Sequence, residues 1–394
     1  ALLTACAASQ AAAPATSEST ADEVVTFMAP YLNVEAFIDK VHSIYPEVNI
    51  EIVPYSGDNT TSCIQNMIEA HDLPDICTVT VYNPMTDDMS DQLIDLAGYD
   101  FTDNYIESRL QEVTDNGAIY LLPSVYNCYG ITYNKTLLQQ NGWTVPTSFA
   151  ELEQLAEKAE AAGVALCLPQ SQYPGYGFQY MCNIADAGFL GTLDGKRWQK
   201  DYLSGKANVS GTPGMMQAMA YIQKWRDIGM LNGDGDPTSD EVTRQRMING
   251  DALFLLGSTN GIVEADGTRD KFGLMPYLSE DGSQNVFVLS VNRYFGLNKR
   301  LEQNPQKLED ALKVMRVLST VEGTTALYPE TKVKSSLMPF KNAKANDTYY
   351  TDIADALNFG STAPFIYSGW ENTIVTTGNK MLDFMRGDAT IDEV

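Results

Sequence analysis

Hydrophobic positions near the start of the chain switch between two periods. Val24-Val25-Thr26-Phe27-Met28 is a run of strand formers, and Val48, Ile50 and Ile52 alternate with Asn49 and Glu51, the two-residue period of a strand. Between them Val34, Phe37, Ile38, Val41 and Ile44 recur at helical spacing, and Pro46 ends that helix. A second helix is expected over about Thr61 to Ala70, and Asp75-Ile76-Cys77-Thr78-Val79-Thr80-Val81 reads as the third strand. Strands and helices in strict alternation predict a mostly parallel sheet covered by helices.

The pattern breaks near Tyr133-Asn134 and resumes. Ser148 caps a helix with Glu151 reaching back, and Leu152, Leu155 and Ala159 carry it to Gly163. Met215, Met219, Ile222 and Trp225 mark another amphipathic helix, and Ala252 to Leu256 reads as a short buried strand. Asn304-Pro305 is a helix start, with Leu308, Ala311, Leu312, Met315 and Leu318 as its buried face. Ile374, Met381, Leu382 and Met385 lie on a last helix. The fold class is therefore α/β, in more than one unit.

A length of 394 residues with 44% hydrophobic positions supports two cored domains. The net charge of −25 repels phosphate backbones, so nucleic acid is excluded as a partner. No run reaches the roughly 20 apolar residues that span a bilayer. Leu3-Thr4-Ala5-Cys6 resembles a bacterial lipobox behind the end of a signal peptide, in which Cys6 becomes the lipid-bearing residue. Residues 7–22, rich in Ala, Ser and Thr, follow as a flexible tether, so contact with the membrane is expected through the lipid alone. Cys63, Cys77, Cys128, Cys167 and Cys182 are odd in number and match no zinc spacing. Buried free thiols are expected, with one disulfide left open for an exported chain.

Catalytic chemistry is hard to place. His42 and His71 are the only histidines, each in or beside a predicted helix, and no zinc-protease, nucleophile-elbow or phosphate-loop motif occurs. The chain is read as a binding protein without enzyme activity or cofactor. Asn232-Gly233-Asp234-Gly235-Asp236 begins like a calcium loop, but Pro237 stands at the turn-glycine position and Thr243 at the closing glutamate position. It is read as a solvated turn, and no metal site is expected. A secreted glycan-cleaving enzyme with paired carboxylates remains the alternative from another class.

Aromatic and amide residues stand where loops leave the predicted strands: Tyr31 after the first, Tyr55 after the second, Tyr82 and Asn83 after the third. Ligands of parallel α/β sheets bind outside the carboxyl ends of the strands. Aromatic rings cover the C–H faces of a sugar, and amides and carboxylates satisfy its hydroxyls. The absence of Arg or Lys from these positions favours a neutral ligand. Asp87, Asp88 and Glu371 keep a cationic one such as a polyamine open.

Several segments together resemble the bacterial extracellular solute-binding proteins of family 1, the maltose-binding-protein-like group that serves ABC importers. They are Leu73-Pro74-Asp75-Ile76, the stretch from Gly117 to Pro123, Gly130-Ile131-Thr132-Tyr133-Asn134-Lys135, Phe149-Ala150-Glu151-Leu152, Met247 to Phe254, and Met385-Arg386-Gly387-Asp388. The resemblance implies a two-lobed periplasmic-binding-protein-like fold. Each lobe is a mostly parallel sheet flanked by helices, and the chain crosses the hinge near Tyr133, Gly257 and Asn298. It implies residues 23–132 with 261–300 in one lobe and 133–260 with 301–394 in the other, behind the segment 1–22. The implied ligand is a carbohydrate, in particular an oligosaccharide. The implied partner is a two-subunit ABC permease, and the protein acts as a monomer on the extracellular face of the cytoplasmic membrane. Trp370 matches a position where relatives stack a sugar ring, and Asn127 and Tyr176 fall in regions that line the site. Gly257-Ser258-Thr259-Asn260 lacks the tryptophan common in the family, and Asn260 would supply hydrogen bonding instead.

Overall fold

The computed structural model describes residues 23–30, 33–54, 60–81, 83, 86–232, 239–257, 269–328, 337–344, 354–359, 362–366 and 369–394. Cys6 and the tether, Tyr31, Tyr55, Tyr82, Asp234, Asp236, Asn260 and the side chain of Glu371 lie outside the described residues.

Three sheets carry the architecture, beside a small hairpin of β4 (Thr114–Asp115) and β5 (Ala118–Ile119). In the first, β1 (Val24–Phe27) lies between β2 (Asn49–Ile52) and β3 (Ile76–Val79), parallel to both, as the alternation predicted. Two further strands extend it beyond β3: β13 (Tyr294–Leu297), antiparallel to β3, and then β6 (Leu122–Pro123), antiparallel to β13. The second sheet runs β11 (Phe272–Met275), β8 (Ile131–Asn134), β10 (Ala252–Leu256), β9 (Ala165–Pro169). Only β9 and β10 are parallel there. A third, three-stranded sheet joins β7 (Tyr126–Tyr129), β12 (Phe287–Val291) and β14 (Thr362–Pro364), so segments far apart in sequence meet where the chain crosses between the larger sheets.

Local signals place the helices well. Ser148 accepts from the Glu151 N–H at 3.3 Å, and Gly163 closes the Phe149–Ala162 helix with φ +70°. The Glu151 carboxylate turns back one residue further than expected, to the N–H of Thr147 at 2.8 Å and its hydroxyl at 2.9 Å. Asn304 caps Pro305–Leu318, with proline at the first helical position where its missing N–H costs nothing.

Two large cores follow, with a smaller one beneath the third sheet and another where the Thr60–Glu69 helix packs on β3. Their membership corrects the expected division of the chain. Leu312 and Met315 are buried with Phe27, Phe37 and Phe295 in the first core, and the Pro305–Leu318 and Val321–Leu327 helices pack on the Glu35–His42 helix. These residues had been placed in the second lobe. Conversely β11, expected in the first lobe, pairs with β8 of the second sheet. A helical period shows that a face is buried but not which core covers it.

One buried ion pair fastens the reassigned helix to β3. The Asp75 carboxylate, 2% exposed, accepts from the Thr26 N–H at 2.8 Å and hydroxyl at 2.7 Å, and Lys307 Nζ stands 2.7 Å away. Burial alone would raise its pKa, but the bonds from Lys307 and Thr26 outweigh this and hold it below the ordinary value. A carboxylate depressed on folding adds stability above its unfolded value, about pH 4, and loses it as pH falls through the folded value. Asp75→Asn is therefore expected to lower the thermal midpoint at neutral pH and to flatten its fall between about pH 5 and about pH 2. Melting curves across that range check this, and an unchanged slope would reject it.

Among the described residues Cys77, Cys128, Cys167 and Cys182 are free and buried, and Cys63 is buried as well. Burial pushes the Cys77 thiol up to about 12 and raises those of Cys128, Cys167 and Cys182, so these behave as small hydrophobes. His42 bonds the Val48 carbonyl at 2.9 Å, and His71 pairs with Asp88 at the surface.

Candidate functional site

The carboxyl end of β3 is tied down by Asn83. Its Oδ1 accepts from the Thr80 hydroxyl at 2.7 Å and its Nδ2 donates to the Thr61 carbonyl at 3.0 Å, and the residue is 7% exposed. Both ends of the amide are thus engaged inside the first lobe. Asn83 still borders a cavity of about 470 Å³, whose other walls include Val81, Glu112, Tyr120, Tyr294 and Phe365. The first four of these belong to the first sheet and its loops, whereas Phe365 follows β14 of the third sheet. The cavity therefore opens where the chain crosses.

Its wall is organised by Arg109. The guanidinium donates to Glu112 at 2.7 Å, to the Thr362 hydroxyl at 3.4 Å and to the Leu357 carbonyl, and lies 5.2 Å from the Tyr126 ring centre. The Tyr126 hydroxyl donates to the second oxygen of Glu112 at 3.0 Å.

Alternation along β7 puts Tyr126 and Cys128 in the small core and leaves Asn127 and Tyr129 half-buried on the opposite face. Tyr129 stacks on Phe365, with ring centres 5.1 Å apart and planes 27° apart. Burial, then the hydrogen bond to the Asp240 carboxylate and its charge, push the Tyr176 phenol up. On the Pro174–Ala185 helix, Tyr176 stacks on Tyr180 at 6.3 Å and meets the Tyr173 ring, tilted by 40°, at 6.1 Å. The Tyr180 hydroxyl points to the Gln170 carbonyl at 2.8 Å and the Leu256 carbonyl at 3.0 Å, bridging the carboxyl ends of β9 and β10. Tyr176 donates to Asp240 Oδ2 at 2.6 Å. Two aromatic groups result, Phe365 with Tyr129 at the cavity wall and Tyr173, Tyr176 and Tyr180 at the strand ends of the second sheet.

Trp370 stands elsewhere. It is 7% exposed, and its ring lies parallel to Tyr202 at 4.8 Å, with Phe178 at 6.0 Å and Trp198 at 6.3 Å. Phe178 is two residues from both Tyr176 and Tyr180, which puts it on the far side of their helix. Trp370 borders a cavity of about 570 Å³ with Met181, Tyr202, Met215 and Ile366, among residues that all belong to the second core's side of the molecule. Asn127 thus lies on the third sheet beside the Tyr129–Phe365 stack, Tyr176 at the strand ends of the second sheet, and Trp370 against the Phe178 side of the Tyr176 helix. The tryptophan's aromatic character and position before a helix are satisfied by packing, which sequence alone does not separate from stacking on a ligand.

Sequence reading passed over Tyr129, Phe365 and Asp240. Tyr129 was accessible from the strand period, being two residues from Asn127. Asp240 carried no signal beyond a helix start.

Comparison with known proteins completes the description. The family model described as bacterial extracellular solute-binding protein matches residues 35–362. The chain belongs to that family. This solute-binding protein is 26% identical over 185 residues to the maltodextrin-binding protein MdxE of Bacillus subtilis, a match covering 44% of this chain and 40% of that protein's length. Among solved structures it is similar to a binding protein MsmE of Bacillus subtilis in an open conformation, with TM-score 0.75 and 13% identity over 94% of each chain. It is also similar to the apo form of RafE from Streptococcus pneumoniae, with TM-score 0.71 and 15% identity over 94% of this chain and 95% of that one. For RafE in complex with raffinose the values are 0.64 and 16%, over 94% and 97%. These likenesses establish the two-lobed α/β fold that the resemblance had implied.

Proposed function

We propose that this solute-binding protein captures a carbohydrate, in particular an oligosaccharide, and delivers it to the permease of an ABC importer from a lipid anchor at Cys6. The observation that carries the ligand reading is the Phe365–Tyr129 stack beside the cavity, with the half-buried amide of Asn127 on the same face of β7. Such rings suit sugar faces, with the tyrosine hydroxyl and the amide for the hydroxyl edges. The basic groups nearby are engaged by carboxylates, Arg109 by Glu112 and Arg244 by Glu241 at 2.6 Å, which weighs against an anionic ligand. The maltodextrin and raffinose named for the relatives support the same class.

Capture proceeds by closure of the lobes, because contacts from both exist only when they approach, and the ligand then shifts the population. The greater likeness to open MsmE and apo RafE than to raffinose-bound RafE supports an open arrangement here. A thermal-shift panel of oligosaccharides and polyamines tests the reading. A ligand at a hundredfold excess over Kd adds about 2.7 kcal/mol of stability. A shift with polyamines alone, or with nothing in the panel, overturns the carbohydrate reading. In Tyr129→Ala, affinity for the sugar is expected to fall by about 2 kcal/mol, roughly thirtyfold, as for a buried aromatic anchor. Calorimetric titration giving wild-type affinity would remove the Tyr129–Phe365 stack from the site.

A further inference from the structure

We propose that the cavity beside Asn83 seats one end of the oligosaccharide, and that Tyr294 is the residue of the first lobe that selects it, reading the hydroxyl groups of a neutral sugar. This deepens the binding reading above and rests on it. Tyr294 opens β13 and pairs with Val79, the last residue of β3, so it stands at the carboxyl end of the parallel strands, where ligands of such sheets bind. Its ring is half-buried and packs against both smaller cores, which holds the phenol in place. Phe365 borders the same cavity from the third sheet, where its N–H donates to the Leu289 carbonyl at 2.9 Å. The volume of about 470 Å³ lies toward the lower end of the range for small-ligand sites, roughly 300–1,000 Å³, so the cavity takes part of a chain rather than its length.

Neither the Tyr294 nor the Tyr120 hydroxyl on the cavity wall bonds another group among the described residues, and neither is sealed from solvent, so both are open to an incoming ligand. A phenol donates one hydrogen bond and accepts as well, which matches a sugar hydroxyl in either role. Tyr120 is packed against only one of the smaller cores. The more firmly held Tyr294 loses less freedom on binding and so carries the selectivity. Glu112 supplies an acceptor beside them. Its oxygens hold one bond each, to Arg109 and to Tyr126, while a carboxylate oxygen accepts two, and a third of its side chain is in solvent. Burial, then the Glu112 charge, push the Tyr294 phenol up, so it stays protonated as a donor. Among the described residues the cavity is bordered by Glu112 and Asp115 but by no lysine or arginine, so a sugar carboxylate would meet repulsion without a cation to pair with.

The test compares wild type with Tyr294→Phe, which keeps the ring and removes only the hydroxyl, and with Val81→Phe, which enlarges a half-buried side chain on the cavity wall. Melting curves confirm that each folds. The calorimetric probes are maltotriose, raffinose and the acidic trisaccharide trigalacturonate. Wild type is expected to bind a neutral sugar and not trigalacturonate. Tyr294→Phe is expected to lose about tenfold in affinity for that sugar, as when a hydrogen bond loses one partner, and Val81→Phe to lose binding altogether. Wild-type affinity in either variant, or equal binding of trigalacturonate, overturns the proposal and leaves the carbohydrate reading intact. If wild type binds neither neutral sugar, the proposal falls, and the thermal-shift panel above decides the carbohydrate reading.

Discussion

Trp370→Ala is expected to cost about 3–5 kcal/mol of stability and to leave the affinity of the folded protein for its ligand unchanged. The ring lies within a nest of Tyr202, Phe178 and Trp198, parallel to the first at 4.8 Å, and beneath it Gly369 makes a left-handed turn at φ +83° against Leu203. Truncation leaves a void lined by rings that cannot collapse into it without leaving their rotamers. It also unseats the start of the Glu371–Arg386 helix, which packs along the Pro174–Ala185 helix. Urea unfolding measures the loss, and calorimetry at a temperature where the variant is folded measures the affinity. A variant of normal stability that no longer bound its sugar would return Trp370 to the site.

Arg109→Met is expected to cost roughly 3 kcal/mol, the low end for breaking a buried pair, because Glu112 keeps a third of its side chain in solvent. Methionine preserves much of the stem that packs on Tyr126 but removes every hydrogen bond to Glu112, Thr362 and Leu357. Those partners come from two regions of the chain, the 107–112 helical turn and the residues before and within β14, so one side chain joins the cavity wall to the crossing strands. The cost is dominated by what is left unpaired. Arg109→Met combined with Glu112→Gln is therefore expected to recover part of the loss, which a double-mutant cycle in thermal or urea unfolding reads directly. A single variant within about 0.5 kcal/mol of wild type would show that solvent already screens the pair.

The residues of the candidate site were legible only by type. Of those expected from the sequence, Tyr176 stacks on Tyr180 and Asn127 is half-buried beside Tyr129 on β7, whereas the Tyr129–Phe365 stack itself joins segments more than 200 residues apart. Trp370 shows the limit. A tryptophan before a helix has the same local signature whether its ring meets a ligand or Tyr202, and the choice is made by helices at 193–203 and 174–185. Asp240 and Tyr176 are 64 residues apart, and nothing in either segment announces the other.

By itself the sequence determined what local physics controls. Alternation and helical period marked the strands and helices, Ser148 and Asn304 set helix starts, and the ordered run of short motifs pointed to a two-lobed solute-binding protein. Tertiary structure alone decided that Pro305–Leu318 returns to the first core, that β11 joins the second sheet, that Trp370 is packed against Tyr202, and that Asp240 meets Tyr176. The reason is the same in each case. A residue's period and chemistry say that it must be buried or bonded, while the identity of what buries or bonds it comes from contacts across long stretches of chain.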